Sequence, residues 1–498
     1  MAVGFRLRTA LLAAVFAGWA GAASAVEITI AQSTDATSLD PAFRADTATG
    51  NVQRHLFDTL LVRKADMSIG PGLAESVEQN GPTRFTLRLR KGVTFSNGEP
   101  FDAEAVKFSI ERAQNPELKA PTRSWWLPFK TVTVVDPHTV TIETAAPDPL
   151  FRARLTLLAP VPPKHVKEAG AAFAQKPVGT GPYRLVSWRR DDAAVLEPNP
   201  TYWGDKPTFT RVTFRVVPEE LSRVAALQTG EADVVAGLSP LQAAALERTP
   251  GLRVERAPST RLATIQFDVS QPPGDNPKFR EAVSHAINRD EIVKGLMRGF
   301  AAPVTSMLAP GIPDWPQDRS YVRPHDPQKA AALVKELGLG NQEILMRTPS
   351  GRYPSDRETA LAVAAQLGKA GLNVRVRPDE WGRFFDDLKA RKVSPLYLMG
   401  QGNVWLDPYP QIEAFQKTGG FLSTWSDPQV DALLERSNTV PEGERKAIFG
   451  QILERLNETA AVVPLYAHLV LFGVRDNVKW TARPDEQVLA TEMTKTGR

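Results

Sequence analysis

The chain has 498 residues, enough for about three domain-sized units. Hydrophobic residues make up 42% and charged residues 23%, which is typical of a folded protein and excludes a low-complexity chain. Lys and Arg total 60 against 56 Asp and Glu. No basic stripe accompanies this small excess, so nucleic acid is not a predicted partner. The chain contains no cysteine, which excludes disulfides and a cysteine nucleophile.

The first 25 residues differ from the rest. Arg6 and Arg8 precede an apolar stretch over 10–22, and Ala23-Ser24-Ala25 follows as a cleavage signal. This pattern predicts a secretory signal peptide over 1–25, removed after Ala25. A membrane anchor is the alternative, but the stretch is shorter than the about 20 residues that span a bilayer. Without a cysteine to acylate, the protein is predicted to be periplasmic and not a lipoprotein.

Elements of both types follow in chain order. Residues 84–90 alternate polar and apolar as a half-buried strand does, and turns are predicted at Gly92 and Gly98. Asp102 stands where the N-cap of a helix is expected, and Asn276-Pro277 predicts a second helix start.

The C-terminal half continues the alternation. Residues 360–369 are helical in composition with Gly371 suited to C′, and 373–377 alternate as a strand. A helix through Ile448, Ile452 and Leu456 precedes a predicted buried strand over 461–466. Because helices and strands alternate throughout, the predicted class is α/β.

Four motifs occur in order. They are LDP at 39–41 with HLFDTL at 55–60, FTLRLRKGVTFSNGEPFDAEAVKFSIER at 85–112, VGTGPY at 178–183 with NPTYW at 199–203, and NPKFREAVSHAINRD at 276–290. The glycines of VGTGPY are not a dinucleotide fingerprint, because Arg184 stands where the last glycine would be. Together the motifs resemble the bacterial family 5 extracellular solute-binding proteins, which bind dipeptides, oligopeptides, glutathione or nickel for ABC importers.

The resemblance implies a fold. It is the two-lobed periplasmic binding protein (Venus-flytrap) fold with an extra inserted subdomain and a ligand cleft between the lobes. The core of lobe I would combine 26–50, 178–264 and 472–498. The inserted subdomain would span 51–177 and lobe II 265–471. The chain would cross between lobes near 264–268 and near 471–474.

The resemblance also implies a function. A monomer would capture a peptide or peptide-like solute by lobe closure and deliver it to the permease subunits of an ABC importer, without cofactor or catalysis. A sugar, an opine or a metal chelate are alternative ligands for the same fold. A secreted hydrolase and a periplasmic chaperone are rivals from other classes, although no G-x-S-x-G motif is present. The six histidines lack metal-site spacing, so no metal site is predicted.

The best ligand-binding candidates lie in a loop before an acidic-Pro pair. They are Gly402, Asn403, Trp405 and Asp407. Glycines expose backbone amides, and Trp405 either offers a flat face to the ligand or packs in lobe II. Relatives of the peptide-binding type carry an amine-pairing Asp at the position of Val404. A valine cannot neutralise an ammonium, so either another carboxylate does so or the ligand lacks a free amine there.

A second candidate group is Arg352 with Tyr353. These residues lie near the place where dipeptide binders carry an Arg for the ligand carboxylate, although Ser350 aligns directly with it. A guanidinium can hold a carboxylate through two parallel hydrogen bonds. Trp125 and Trp126 are expected to pack in the inserted subdomain or to line the rim of the cleft.

Overall fold

A computed structural model describes residues 26–496 except 45, 314, 351, 354 and 441. The predicted signal peptide lies outside these residues. The described helices are α1 Thr47–Leu56, α2 Ala103–Gln114, α3 Arg123–Trp126, α4 Phe151–Leu155, α5 Pro163–Ala169, α6 Glu220–Thr229, α7 Pro240–Leu246, α8 Pro277–Ala286, α9 Arg289–Glu291, α10 Pro327–Leu337, α11 Asp356–Lys369, α12 Trp381–Lys389, α13 Pro408–Gln416, α14 Pro428–Ser437 and α15 Glu442–Glu458.

The described strands alternate with these helices. They are β1 Glu27–Gln32, β2 Leu61–Arg63, β3 Ile69–Pro71, β4 Ala74–Gln79, β5 Arg84–Leu89, β6 Phe129–Asp136, β7 Thr139–Thr144, β8 Tyr183–Arg189, β9 Ala193–Pro198, β10 Arg211–Val216, β11 Val234–Ala236, β12 Leu252–Phe267, β13 Ala301–Ala302, β14 Glu343–Pro349, β15 Asn373–Asp379, β16 Leu396–Gln401, β17 Val462–Arg475, β18 Val478–Lys479 and β19 Thr494–Lys495. The α/β class predicted from the sequence is confirmed.

Most strands join one hydrogen-bonded path in the order β15-β14-β16-β12-β17-β11-β1-β10-β9-β8. The strands β11, β1, β10, β9 and β8 belong to lobe I, and β15, β14 and β16 belong to lobe II. The long strands β12 and β17 run antiparallel through both lobes. Each half of the path buries its own apolar core, so the sheet connects two lobes instead of forming one layer.

The changeover between lobes lies in the middle of β12 and β17. Strand pairing runs from Leu252↔Arg475 to Pro258↔Leu469, and it resumes at Leu262↔Ala467 after a register shift. The family resemblance implies crossings near 264–268 and 471–474, a few residues later on both strands. A proline and a bulge interrupt the ladder here, and local interruptions of this kind are where a strand bends.

The inserted subdomain has its own core over a four-stranded antiparallel sheet, β4-β5-β7-β6. This core draws on residues between Leu60 and Leu158, a shorter span than the predicted 51–177. Helix α1 and the segment around α5 pack on the lobe I core instead. The ring of His55 on α1 lies 5.1 Å from that of Phe214 in this core, which explains the difference at the N-terminal boundary.

The end of the chain returns to lobe I. Residues between Phe472 and Met493 complete the core that begins with Ile28 on β1. Ala490 N donates to His55 Nε2 at 2.9 Å. His55 Nδ1 lies 2.7 Å from the carbonyl oxygen of Asn51, so the ring is neutral with its proton on Nδ1.

Several local predictions are confirmed. Asp102 caps α2 by accepting from Ala105 N at 3.0 Å, and Asn276 caps α8 with Pro277 at its first position. Gly371 follows α11 with φ of +96°. No helix among the described residues has the length and apolar character needed to cross a membrane.

The sequence motifs meet in pairs. Arg112, the last residue of the second motif, makes an ion pair with the buried Asp40 of LDP, which joins α2 of the subdomain to lobe I. Gly181 N donates to Leu56 O at 3.0 Å, which joins VGTGPY to HLFDTL. A Cβ on Gly179 or Gly181 would lie within 2.6 Å of a carbonyl oxygen of α1, so both positions require glycine.

Candidate functional site

A cavity of about 950 Å³ lies between lobe I, the inserted subdomain and lobe II. This volume is near the upper end of the range for small-molecule pockets. Residues of all three parts line it, among them Arg44, Arg54, Asp58, Lys206 and Arg483 of lobe I, Arg63, Trp125 and Leu157 of the subdomain, and Arg261, Arg352, Gly402, Asn403 and Val404 of lobe II.

Asp58 lies where three of the sequence motifs meet. Its carboxylate accepts from Trp203 Nε1 at 2.8 Å and from the Tyr202 hydroxyl at 3.5 Å, and its backbone N donates to Thr180 Oγ1 at 3.3 Å. Burial raises the pKa of Asp58 to about 6, although these hydrogen bonds act in the opposite direction. The site therefore contains a half-buried carboxyl group that titrates close to neutral pH.

Arg483 is a cation of the cavity wall that has carboxylate partners of its own. It makes ion pairs with Asp485 at 2.8 Å and with Glu492 at 2.6 Å, and it donates to Arg63 O at 3.0 Å. Burial acts to lower the pKa of Arg483, but the two carboxylates together raise this pKa above its usual value. Its charge is already balanced, so its role is to hold the C-terminal segment against the subdomain.

The predicted loop of lobe II faces the cavity through Gly402, Asn403 and Val404. The Val404 side chain is 67% exposed. Asn403 is buried, and its amide organises the loop: Oδ1 accepts from Trp405 N at 3.1 Å and Leu406 N at 3.0 Å. Asn403 thus shapes the cavity wall by fixing the turn of the loop.

Asp407 is buried away from the cavity. It caps α13 through Tyr409 N at 2.9 Å and makes two ion-pair hydrogen bonds with the buried Arg445, both 2.8 Å long. All its oxygens are thereby engaged inside lobe II. The structure does not place Asp407 in contact range of a cleft ligand. The Asp407-Pro408 pair forms the N-cap and first residue of α13 instead.

Trp405 bridges the lobes. Its ring packs edge-on against Trp125 of the subdomain, with ring centroids 5.1 Å apart, and Arg154 lies over it at 5.0 Å. Its carbonyl oxygen accepts from Arg63 Nη2 at 2.8 Å. Of the two roles expected for this tryptophan, packing accounts for the contacts described, although the partner is the inserted subdomain and not the core of lobe II.

Arg352 and Tyr353 are adjacent in sequence but differ in exposure. Arg352 is exposed and lines the cavity, whereas Tyr353 is buried and donates from its hydroxyl to Gly400 O at 3.0 Å. The Arg352 guanidinium lies 5.3 Å from the centre of the Tyr353 ring and 5.1 Å from that of Trp381. Tyr353 therefore packs against the guanidinium of Arg352 and does not line the cavity itself.

Other cavity residues had no distinctive sequence pattern. Arg44, Arg54 and Arg261 are single arginines among many, and only the fold brings them to one cavity. Asp58 lies within the HLFDTL motif, and its place in this family motif is the sequence feature that could have identified it as a site residue. Among the described residues, no group of three or more His, Asp or Glu is arranged to hold a metal ion.

Comparisons with known proteins agree with this architecture. The profile of the bacterial extracellular solute-binding proteins, family 5 middle, matches residues 68–423. The chain is 32% identical to the glutathione-binding protein GsiB of Salmonella paratyphi A over 430 residues, which are 82% of this chain and 83% of that protein.

Solved structures show the same fold at lower identity. The ABC transporter substrate-binding protein CtaP of Listeria monocytogenes superposes with a TM-score of 0.85 at 23% identity, covering 95% of this chain and 99% of that one. The periplasmic binding protein DppA of Helicobacter pylori, in complex with the peptide STSA, gives 0.74 at 24% identity, covering 95% and 98%. The two-lobed fold is thus confirmed, and the chain belongs to the family 5 bacterial extracellular solute-binding proteins.

Proposed function

We propose that this chain is the substrate-binding component of an ABC importer, that it works in the periplasm as a monomer, and that it captures a peptide-like solute without chemical turnover. The observation that carries the proposal is the cavity of about 950 Å³ with walls from both lobes and the subdomain. A ligand that contacts both lobes favours the arrangement in which they are close together, because its affinity differs between the open and closed forms.

The ligand class follows from the family and the cavity size. One relative is named as a glutathione-binding protein, and one similar solved structure is a complex with the peptide STSA. The cavity has room for a solute of a few amino-acid residues. Val404 is exposed at the wall and cannot pair with an ammonium, so we expect unmodified dipeptides to bind poorly. Asp58 also lines the cavity, and its carboxylate is the group we expect to take this role for a longer ligand.

Calorimetry and small-angle scattering test the proposal together. Purified protein would be titrated with glutathione, a set of tripeptides and a set of dipeptides, and each bound ligand recovered for mass spectrometry. We expect stoichiometric binding, an unchanged ligand mass and a smaller radius of gyration in the complex. Cleaved ligand would indicate a hydrolase, and broad binding of unfolded chains would indicate a chaperone.

The location is tested separately. The pattern at the start of the chain predicts that the mature protein begins after Ala25. Intact-mass measurement on a periplasmic extract should give the chain without its first 25 residues. A full-length species recovered with the membrane fraction would contradict export with cleavage.

A further inference from the structure

Four arginines line the cavity without a carboxylate in ion-pair contact among the described residues. Arg44 and Arg54 lie on lobe I, and Arg261 and Arg352 lie at the lobe II side. Arg483, in contrast, has two carboxylate partners. Arg44, Arg54 and Arg261 are half-buried, and Arg352 is exposed to the cavity. A guanidinium in a partly desolvated site is stabilised by an anion, so the three half-buried arginines indicate that an anionic partner belongs to the solute.

The lobe I pair is held together by α1. The Arg44 side chain lies across Gly50, where a Cβ would be only 2.8 Å from its Nε. Gly50 and Arg54 are four residues apart and therefore share one face of the helix. Arg54 uses its two terminal nitrogens to donate to Thr59 Oγ1 and Thr156 O, which fixes its position at the cavity wall.

The two charges on lobe I oppose each other in the absence of an anion. Burial, and after it the charge of Arg44, lowers the pKa of Arg54 to about 9. Burial also lowers the pKa of Arg44, although Asp485 and Asp46 act in the opposite direction. Asp485 is engaged by Arg483, and Asp46 caps α1 through Thr49 N at 2.7 Å. Asp58 acts favourably on Arg54, but the pKa of each arginine stays below its usual value. An anion entering here would relieve the repulsion.

The second pair shares an aromatic support. The guanidinium of Arg261 lies 5.7 Å and that of Arg352 5.3 Å from the centre of the Tyr353 ring. Arg261 also lies against Gly402, where a Cβ would be 3.0 Å from its Nη1. Cations stacked on an aromatic face keep their N–H edges free for a carboxylate.

We propose that the cleft has an anion subsite on each side, Arg44 with Arg54 on lobe I and Arg261 with Arg352 on the lobe II side, and that the imported solute is a peptide-like dicarboxylate that joins them. This inference rests on the proposed binding function. A solute with a single carboxylate would satisfy one side only, and it would favour lobe closure less, because closure depends on contacts with both lobes.

Glutathione and its ethyl esters form a matched series for the test. Glutathione has two carboxylates, each of its two monoethyl esters has one, and its diethyl ester has none, while the thiol and the amine are kept. Calorimetry should show at least a tenfold weaker affinity for either monoester than for glutathione, and a further loss for the diester. Equal affinities across the series would overturn the inference while leaving the binding function intact.

Variants assign each end of the ligand. Arg44→Gln should weaken glutathione binding at least tenfold and make the protein insensitive to esterification of one end. Arg352→Gln should do the same for the other end. Arg189→Gln, an exposed arginine of β8 that does not line the cavity, is the matched control and should leave binding unchanged. If esterification of either carboxylate still weakened binding in both variants, the assignment of the two subsites would be overturned.

A stability readout separates this role from a structural one. Arg44 has no side-chain hydrogen bond to another described residue, and burial lowers its pKa despite Asp485 and Asp46. Arg44→Gln should therefore leave the thermal midpoint of the ligand-free protein unchanged or higher. A lower midpoint together with normal glutathione affinity would make Arg44 a structural residue. If neither glutathione nor trialanine bound to the wild type, the proposed function itself would be refuted.

Discussion

The buried ion pair between Asp407 and Arg445 offers a sharp test of how the cavity loop is supported. The exposed fractions of the two side chains are 9% and 6%, and two 2.8 Å hydrogen bonds join them. Asp407→Asn keeps a side chain that can cap α13 but removes the negative charge. The guanidinium then stays buried without its counter-charge, a change that costs about 3–5 kcal/mol of unfolding free energy.

Urea denaturation followed by circular dichroism measures this loss. The matched control is Asp290→Asn, which breaks an exposed pair with Lys294 and should cost less than about 1 kcal/mol. A second change, Arg445→Met in the Asp407→Asn background, should recover most of the stability because no charge remains buried. If Asp407→Asn lost no more stability than Asp290→Asn, the structural role given to this aspartate would be wrong.

Three further outcomes are expected. Gly181→Ala should lower the urea midpoint strongly because its Cβ would lie 2.6 Å from a carbonyl oxygen of α1, whereas Gly368→Ala on open helix surface should not lower it. Burial lowers the pKa of His55 to about 4 and that of His468 to about 3, so on acidification the unfolded chain binds protons before the folded one does. Stability should therefore fall by about 1.5 kcal/mol for each histidine between pH 6.5 and 5. The raised pKa of Asp58 offsets part of this loss. A free energy of unfolding that does not change between pH 6.5 and 5 would contradict the prediction for the histidines. Trp405→Ala should increase the radius of gyration of the ligand-free protein, and an unchanged radius would remove this residue from the lobe contact.

The parts of the fold that sequence reasoning predicted depend on neighbours along the chain. Asp102 and Asn276 cap helices through amides two or three positions away, and the strand over 84–90 follows from alternation alone. Such features need no knowledge of the tertiary structure.

The candidate site was harder to predict because its contacts join distant segments. Trp405 meets Trp125, and Asp407 meets Arg445, in each case through packing that no local pattern encodes. Arg44 and Arg54 are near in sequence, but no local pattern shows that the Arg44 side chain lies across Gly50 of α1 and that both charges line one cavity. The subdomain boundaries in the structure differ from the expected 51–177 for the same reason, because they depend on which core each segment joins.

The return of the last strands to lobe I has a consequence for the order of folding. Lobe II draws its cores from one continuous stretch of chain, between Leu262 and Ala467. Lobe I needs both ends, as shown by the hydrogen bond between residues 435 positions apart, His55 and Ala490. During synthesis, lobe II can therefore assemble while lobe I must wait for residues up to Met493. A chain shortened by some twenty residues at its C-terminus would leave a folded second lobe attached to an incomplete first one.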